Sequence, residues 1–131
     1  MIVVLDASAA IEIVFQRKSG NKLGKVIKEA DWVIAPTLFI CEVTNAVWKY
    51  HKFADLSFKE CERSLEQVMA LPDDFINEKE LFLEAFKLSC SSDHSVYDML
   101  YLVIARRNNG ILLTMDNKLK KIADHYSIEV N

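Results

Sequence analysis

The chain has 131 residues, 51% of them hydrophobic and 27% charged, which suits one folded domain over residues 1–131 and excludes a disordered chain. Three glycines and two prolines are too few for a turn-rich all-β fold, so helices should dominate. Lys and Arg total 16 against 19 Asp and Glu, a net charge of −3, so no global basic field exists to hold a nucleic-acid backbone.

Ile2–Leu5 is a β-branched run, apolar on both faces, as a buried parallel strand should be. It stops at Asp6, and residues 7–15 predict a helix. Residues 21–30 carry Leu23, Val26, Ile27 and Ala30 at helical spacing. Trp32–Ala35 reads as a second strand closed by Pro36. Thr37 is placed to cap a helix running to about His51. Ser57, with Glu60 in the capping-box position, opens another that runs to about Leu71. Asp73–Ile76 is a weak third strand. Glu78–Ser89 predicts a helix with Leu81, Phe82, Ala85 and Leu88 on one face. Ser95–Arg107 is the most apolar helix, and Gly110 ends the connection after it. Ile111–Leu113 gives a fourth strand, Asn117–His125 a helix and Ser127–Val130 a last strand. Strands alternating with helices predict a parallel sheet covered on both faces, with the site at the carboxyl ends of the strands.

Cys41, Cys61 and Cys90 are odd in number and include no CxxC, so they read as free thiols of a cytoplasmic protein. The apolar N-terminus lacks a basic leader, and no apolar run approaches the roughly 20 residues needed to span a bilayer. The expectation is a soluble protein with no membrane partner.

Four carboxylates stand out. Asp6 follows the first strand and Asp116 the fourth, where both could simply cap the next helix. Glu42 and Asp98 sit on helices among apolar neighbours, with no Lys or Arg one turn away. A buried unpaired carboxylate there would cost several kcal/mol. If the four converge they need cations, because like charges about 4 Å apart repel by about 4 kcal/mol at an effective dielectric near 20. Oxygen-only ligands suit Mg²⁺ or Mn²⁺, which can activate water and hold a phosphodiester.

At these residues the chain resembles the PIN-domain ribonucleases, and among them the toxins of VapBC toxin–antitoxin pairs. The matching pieces are Val3-Val4-Leu5-Asp6-Ala7-Ser8-Ala9, Pro36-Thr37 through Glu42-Val43-Thr44-Asn45, Val96-Tyr97-Asp98 through Ala105, and Leu112-Leu113-Thr114-Met115-Asp116. The resemblance implies a three-layer α/β/α sandwich on a parallel sheet of four to five strands. It implies Mg²⁺- or Mn²⁺-dependent endonucleolytic cleavage of RNA, with Asp6, Glu42, Asp98 and Asp116 as metal-binding and catalytic acids. Ser8 and Thr114 match hydroxyl positions that orient carboxylates or water, and Asn45, one turn after Glu42, could face the same cleft; ordinary helix capping and backbone bonding is the alternative for all three. It further implies an antitoxin protein partner and a homodimer. Asn117 departs from the pattern by leaving out a fifth acid, and Met99 replaces a small residue.

His94, four residues before Asp98, could approach the cleft but reads first as part of a polar helix start, and Asp93 as a surface or capping residue. Arg17 through Lys28, Arg106–Arg107 and Lys118–Lys121 read as solvated basic faces, a few of which could meet RNA phosphates. Trp48, Tyr50 and Phe53 read as packing, in the core or a dimer, ahead of base stacking. An inactive module that keeps the fold and binds antitoxin or RNA is the competing reading. A haloacid-dehalogenase-type phosphatase would want an acid where Ser8 stands. A receiver would want one after the third strand, where Asn77 stands.

Overall fold

The computed structural model describes residues 1–131. Four parallel strands, β1 (Ile2–Leu5), β2 (Trp32–Pro36), β3 (Asp74–Ile76) and β4 (Ile111–Leu113), form one sheet in the order β3-β2-β1-β4. Central β1 pairs Val3 with Val33 on one side and with Ile111 on the other. The helices are α1 (Ala7–Val14), α2 (Gly20–Glu29), α3 (Leu38–Ala54), α4 (Phe58–Met69), α5 (Phe82–Ser92), α6 (Val96–Asn108) and α7 (Asn117–His125). α6 packs on β1, β2 and β4 with α5 against it, while α1, α3 and α4 pack together and α3 touches β2. The result is the expected three-layer sandwich.

The chain steps outward from β1 to β2 and β3, then returns to the far side of β1 as β4. Strand order therefore reverses between β1 and β4, and a crevice opens beyond their carboxyl ends. α6 is the central support of that crevice. Met99 through Ala105 are all buried, because the helix meets the sheet on one side and α5 on the other. Gly20 lets α2 cross close behind α1: a Cβ there would lie 2.6 Å from the Glu12 carbonyl oxygen.

Several expectations change at the level of detail. Residues 127–130 form no strand; a single bridge joins Val130 to Leu112. Thr37 precedes α3 but does not cap it with its side chain. Glu78, from beyond β3, takes that role by accepting the Leu38 N–H at 2.6 Å and the Thr37 hydroxyl. Residues 78–80 form a separate 3₁₀ turn, so α5 starts at Phe82, which is 61% exposed while Leu81, Ala85 and Leu88 are buried. α6 runs one residue past the expected Arg107 and ends on Asn109 in the left-handed region (φ 49°). Ser57 does cap α4, accepting the Glu60 N–H at 3.2 Å.

Candidate metal centre at the switch point

Three of the four acids sit at helix starts, where the positive end of the backbone dipole favours a carboxylate. Asp6 stands between β1 and α1, Asp116 between β4 and α7, and Asp98 in the first turn of α6, where Ser95 Oγ accepts the Asp98 N–H. Glu42 comes from the second turn of α3. Asp116 is also an ordinary cap, its Oδ1 accepting the N–H groups of Lys118 (2.8 Å) and Leu119 (3.2 Å). Asp6 makes no such cap bond, so the capping account fails for it.

Asp6 is instead the hub of a hydroxyl network. Its Oδ2 accepts from Ser8 Oγ at 2.7 Å and from Thr114 Oγ1 at 2.6 Å. Ser8 Oγ in turn accepts the Met115 N–H at 3.0 Å, and Thr114 Oγ1 the Asp116 N–H at 3.1 Å. Asn131 Oδ1 accepts the Thr114 N–H at 2.8 Å. The ends of β1 and β4 are thereby tied together, with Asp6 fixed in orientation.

The electrostatics are strained. Burial raises the Asp6 pKa, the nearby Asp98 charge adds to this, and the two hydroxyls oppose it without winning. Glu42 is pushed up to about 7 by burial and by the charges of Asp6 and Asp98, against the opposing bond from Tyr101. Tyr101 Oη donates to Glu42 Oε1 at 2.6 Å. No Lys or Arg forms an ion pair with any of the four acids.

Of the two readings of His94, the structure takes the one that brings it to the cleft. Its Nε2 lies 2.6 Å from Asp98 Oδ2, and ligand atoms of His94, Asp98 and Asp116 all lie within 4.8 Å of one another. The i, i+4 spacing held that signal. Tyr101 was hidden because it reads as one more apolar residue in the α6 run. Asn45 is exposed and lines a shallow surface with Ile40, Thr44 and Trp48, making no bond to the acids. Trp48 and Phe53 are likewise exposed, outside the core. Asp93 is the left-handed residue that ends α5.

This donor set fits a divalent cation. The oxygens are buried or half-buried, mutually repelling and without a Lys or Arg partner, which is a costly arrangement unless a metal supplies the charge. The sequence model of the PIN domain matches residues 3–125. The chain belongs to the PIN-domain family. This PIN domain is 26% identical over 125 residues to ribonuclease VapC3 of Pyrobaculum aerophilum, covering 91% of this chain and 92% of that one. Its fold matches the crystal structure of PAE2754 from the same organism with a TM-score of 0.73 and 23% identity, over 93% of this chain and 87% of that chain. It also matches VapBC2 of Rickettsia felis, solved bound to a DNA fragment of its promoter, with a TM-score of 0.65 and 17% identity, over 100% and 98% of the two chains. No helix of the PIN domain is long and apolar enough to cross a membrane.

Proposed function

We propose that residues 1–131 act as a single PIN domain that cleaves RNA endonucleolytically, as the toxin of a toxin–antitoxin pair in the cytoplasm. The observation that carries this reading is the gathering of Asp6, Glu42, Asp98 and Asp116 at the β1–β4 crevice with no Lys or Arg paired to any of them. The ribonuclease relative and the VapBC fold match support the same reading, with an antitoxin protein as partner; a second copy of the chain is a further partner in this proposal.

In this reading Asp6, Glu42, Asp98 and Asp116 hold Mg²⁺ or Mn²⁺. When bound, the cation supplies charge stabilisation at the reacting phosphate and lowers the pKa of the attacking water. The rest of the work is done by the chain. Ser8 and Thr114 fix the Asp6 carboxylate through Oδ2. Tyr101 fixes Glu42, and His94 restrains Asp98 at the opening of α6. The Asp116 cap bonds hold one of its oxygens and fix the direction of the other.

The test is cleavage of a mixed tRNA and rRNA pool with Mg²⁺, Mn²⁺ or EDTA, beside Asp98→Asn. Discrete fragments that need both metal and Asp98 are expected. The variant should lose about 10³-fold in rate, matching the several kcal/mol a bound cation contributes, and keep its fold. Full activity in Asp98→Asn would sink the proposal. Metal binding without cleavage of any RNA would favour an inactive, partner-binding module.

A further inference from the structure

Outside the acid cluster, unassigned charge is densest at the α1–α2 corner. From Arg17 to Lys28 the chain carries Arg17, Lys18, Lys22, Lys25 and Lys28 and no acid. All five cations are exposed and none is ion-paired, whereas Arg106 and Arg107 are both engaged by Glu84. The solvated-face reading of the sequence does not distinguish these two groups; the structure does.

Arg17 is held in place. Its Nη2 donates to Tyr50 Oη at 2.7 Å, and its guanidinium carbon lies 5.1 Å from the Tyr50 ring centre and 5.8 Å from that of Phe15. The two rings meet edge to face at 5.3 Å. One bond to a hydroxyl leaves most of the five guanidinium donors free. Arg17 lines a hollow together with Ser8 and Glu42 of the acid site and with apolar Ile11, Ala46 and Met115.

Next along the chain, a second hollow is lined by Gln16, Gly20, Gly24, Lys25 and Lys28. Gly24 has no packing reason to be glycine, since a Cβ there would meet only Ile13 Cγ2 at 4.0 Å. Glycine weakens a helix interior relative to alanine, and Gly24 leaves this wall of the hollow without a side chain. A cleft of carboxylates repels a polyanion. Cations within a Debye length of about 8–10 Å supply the counter-field that lets one approach.

We propose that the α1–α2 corner guides single-stranded RNA into the acid site. Arg17 holds a phosphate flanking the scissile one, and the adjoining base rests on Ile11, Ala46 and Met115. Lys25 and Lys28 hold phosphates further along the second hollow. The inference rests on the ribonuclease reading above and adds the path of the strand.

The test uses the Asp98→Asn chain with Mg²⁺ and a fluorescent single-stranded RNA of mixed sequence, titrated at several salt concentrations. Log affinity falls with log salt by about 0.7 per phosphate contact on a single strand. Adding Arg17→Ala, Lys25→Ala and Lys28→Ala should therefore reduce the slope by about 2 and weaken binding for all sequences alike. Lys25→Ala with Lys28→Ala alone, at exposed positions that leave folding intact by circular dichroism, should reduce it by about 1.4. Arg107→Ala, already paired with Glu84, should leave it unchanged. In the active chain Arg17→Ala should raise KM and spare kcat. An unchanged slope and KM in the triple variant would overturn the inference and leave the nuclease reading intact, pointing to an acidic protein segment as the occupant of this corner. Cation-dependent RNA binding by a chain that never cleaves would do the reverse.

Discussion

Two groups of carboxylates in this molecule have opposite circumstances. Glu84 on α5 receives Arg107 Nε at 2.8 Å and Arg106 Nε at 3.1 Å from the end of α6. Its partial burial would raise its pKa, but the two guanidiniums outweigh that and hold it below the usual range. Asp6 and Glu42 are more buried, have only hydroxyl partners, and are held above the usual range. The chain has 16 Lys and Arg residues, and none forms an ion pair with Asp6 or Glu42. Glu84 is matched by protein cations, while Asp6 and Glu42 are left without one, in a cluster that could hold a metal ion.

The sharpest way to break this contrast is to supply that charge. Mg²⁺ or Mn²⁺ at 100 times its dissociation constant should stabilise the chain by about 2.7 kcal/mol, raising Tm by roughly 10 °C. EDTA should reverse the shift, and Asp6→Asn should abolish most of it. Glu84→Gln should leave it whole. A melting curve indifferent to both ions would show that the acid cluster is not a metal centre.

A smaller effect lies in the pH dependence of the metal-free chain. Glu42 binds its proton more tightly folded (pKa about 7) than in its ordinary, solvated state (4.5). Between those values the folded state carries more protons, so stability must fall as pH rises from about 4.5 to about 7. Glu42→Gln should remove much of that slope, and the metal-free variant should melt higher than the parent at pH 7.5. Denaturant titrations at pH 5.5 and 7.5 measure it. A parent that gains stability relative to the variant over this range contradicts the electrostatic picture.

Much of this was legible from local pattern. The four strands and seven helices follow apolar periodicity, and the acids follow the strand ends, so Asp6 and Asp116 were found by position and Glu42 and Asp98 by polarity among apolar neighbours. What escaped depends on residues far apart in sequence. The cap of α3 comes from Glu78, about 40 residues from Leu38, and Thr37 turns its hydroxyl there instead. Tyr101 looks apolar until α6 is laid beside α3, and only then does its hydroxyl find Glu42. Phe82 is three residues from Ala85, yet the buried stripe runs through Leu81, Ala85 and Leu88, and Phe82 falls outside it. His94 was in plain view one turn from Asp98. Its placement needed the exit from α5 through Asp93, whose left-handed backbone ends that helix just before it.

The least effect, and the control for the others, belongs to Glu84. Its side chain is 26% exposed and those of Arg106 and Arg107 are 39% and 45% exposed, so solvent screens the pairs. Glu84→Gln should cost about 1 kcal/mol or less by denaturant titration and leave metal affinity and cleavage unchanged. Its pH dependence runs opposite to that of Glu42. A carboxyl held below its ordinary pKa contributes stability above that pKa and loses it as pH falls through the folded value. The parent's advantage over Glu84→Gln should therefore be present at neutral pH and vanish in acid, while any penalty from Glu42 is greatest at neutral pH. Because two guanidiniums share this carboxylate, Arg106→Ala alone should cost less than Glu84→Gln, with Arg107 Nε keeping its bond to Oε2. If removing Glu84 shifted metal affinity, the two groups would be one network through α6, and the separation between structural and functional charge would fail.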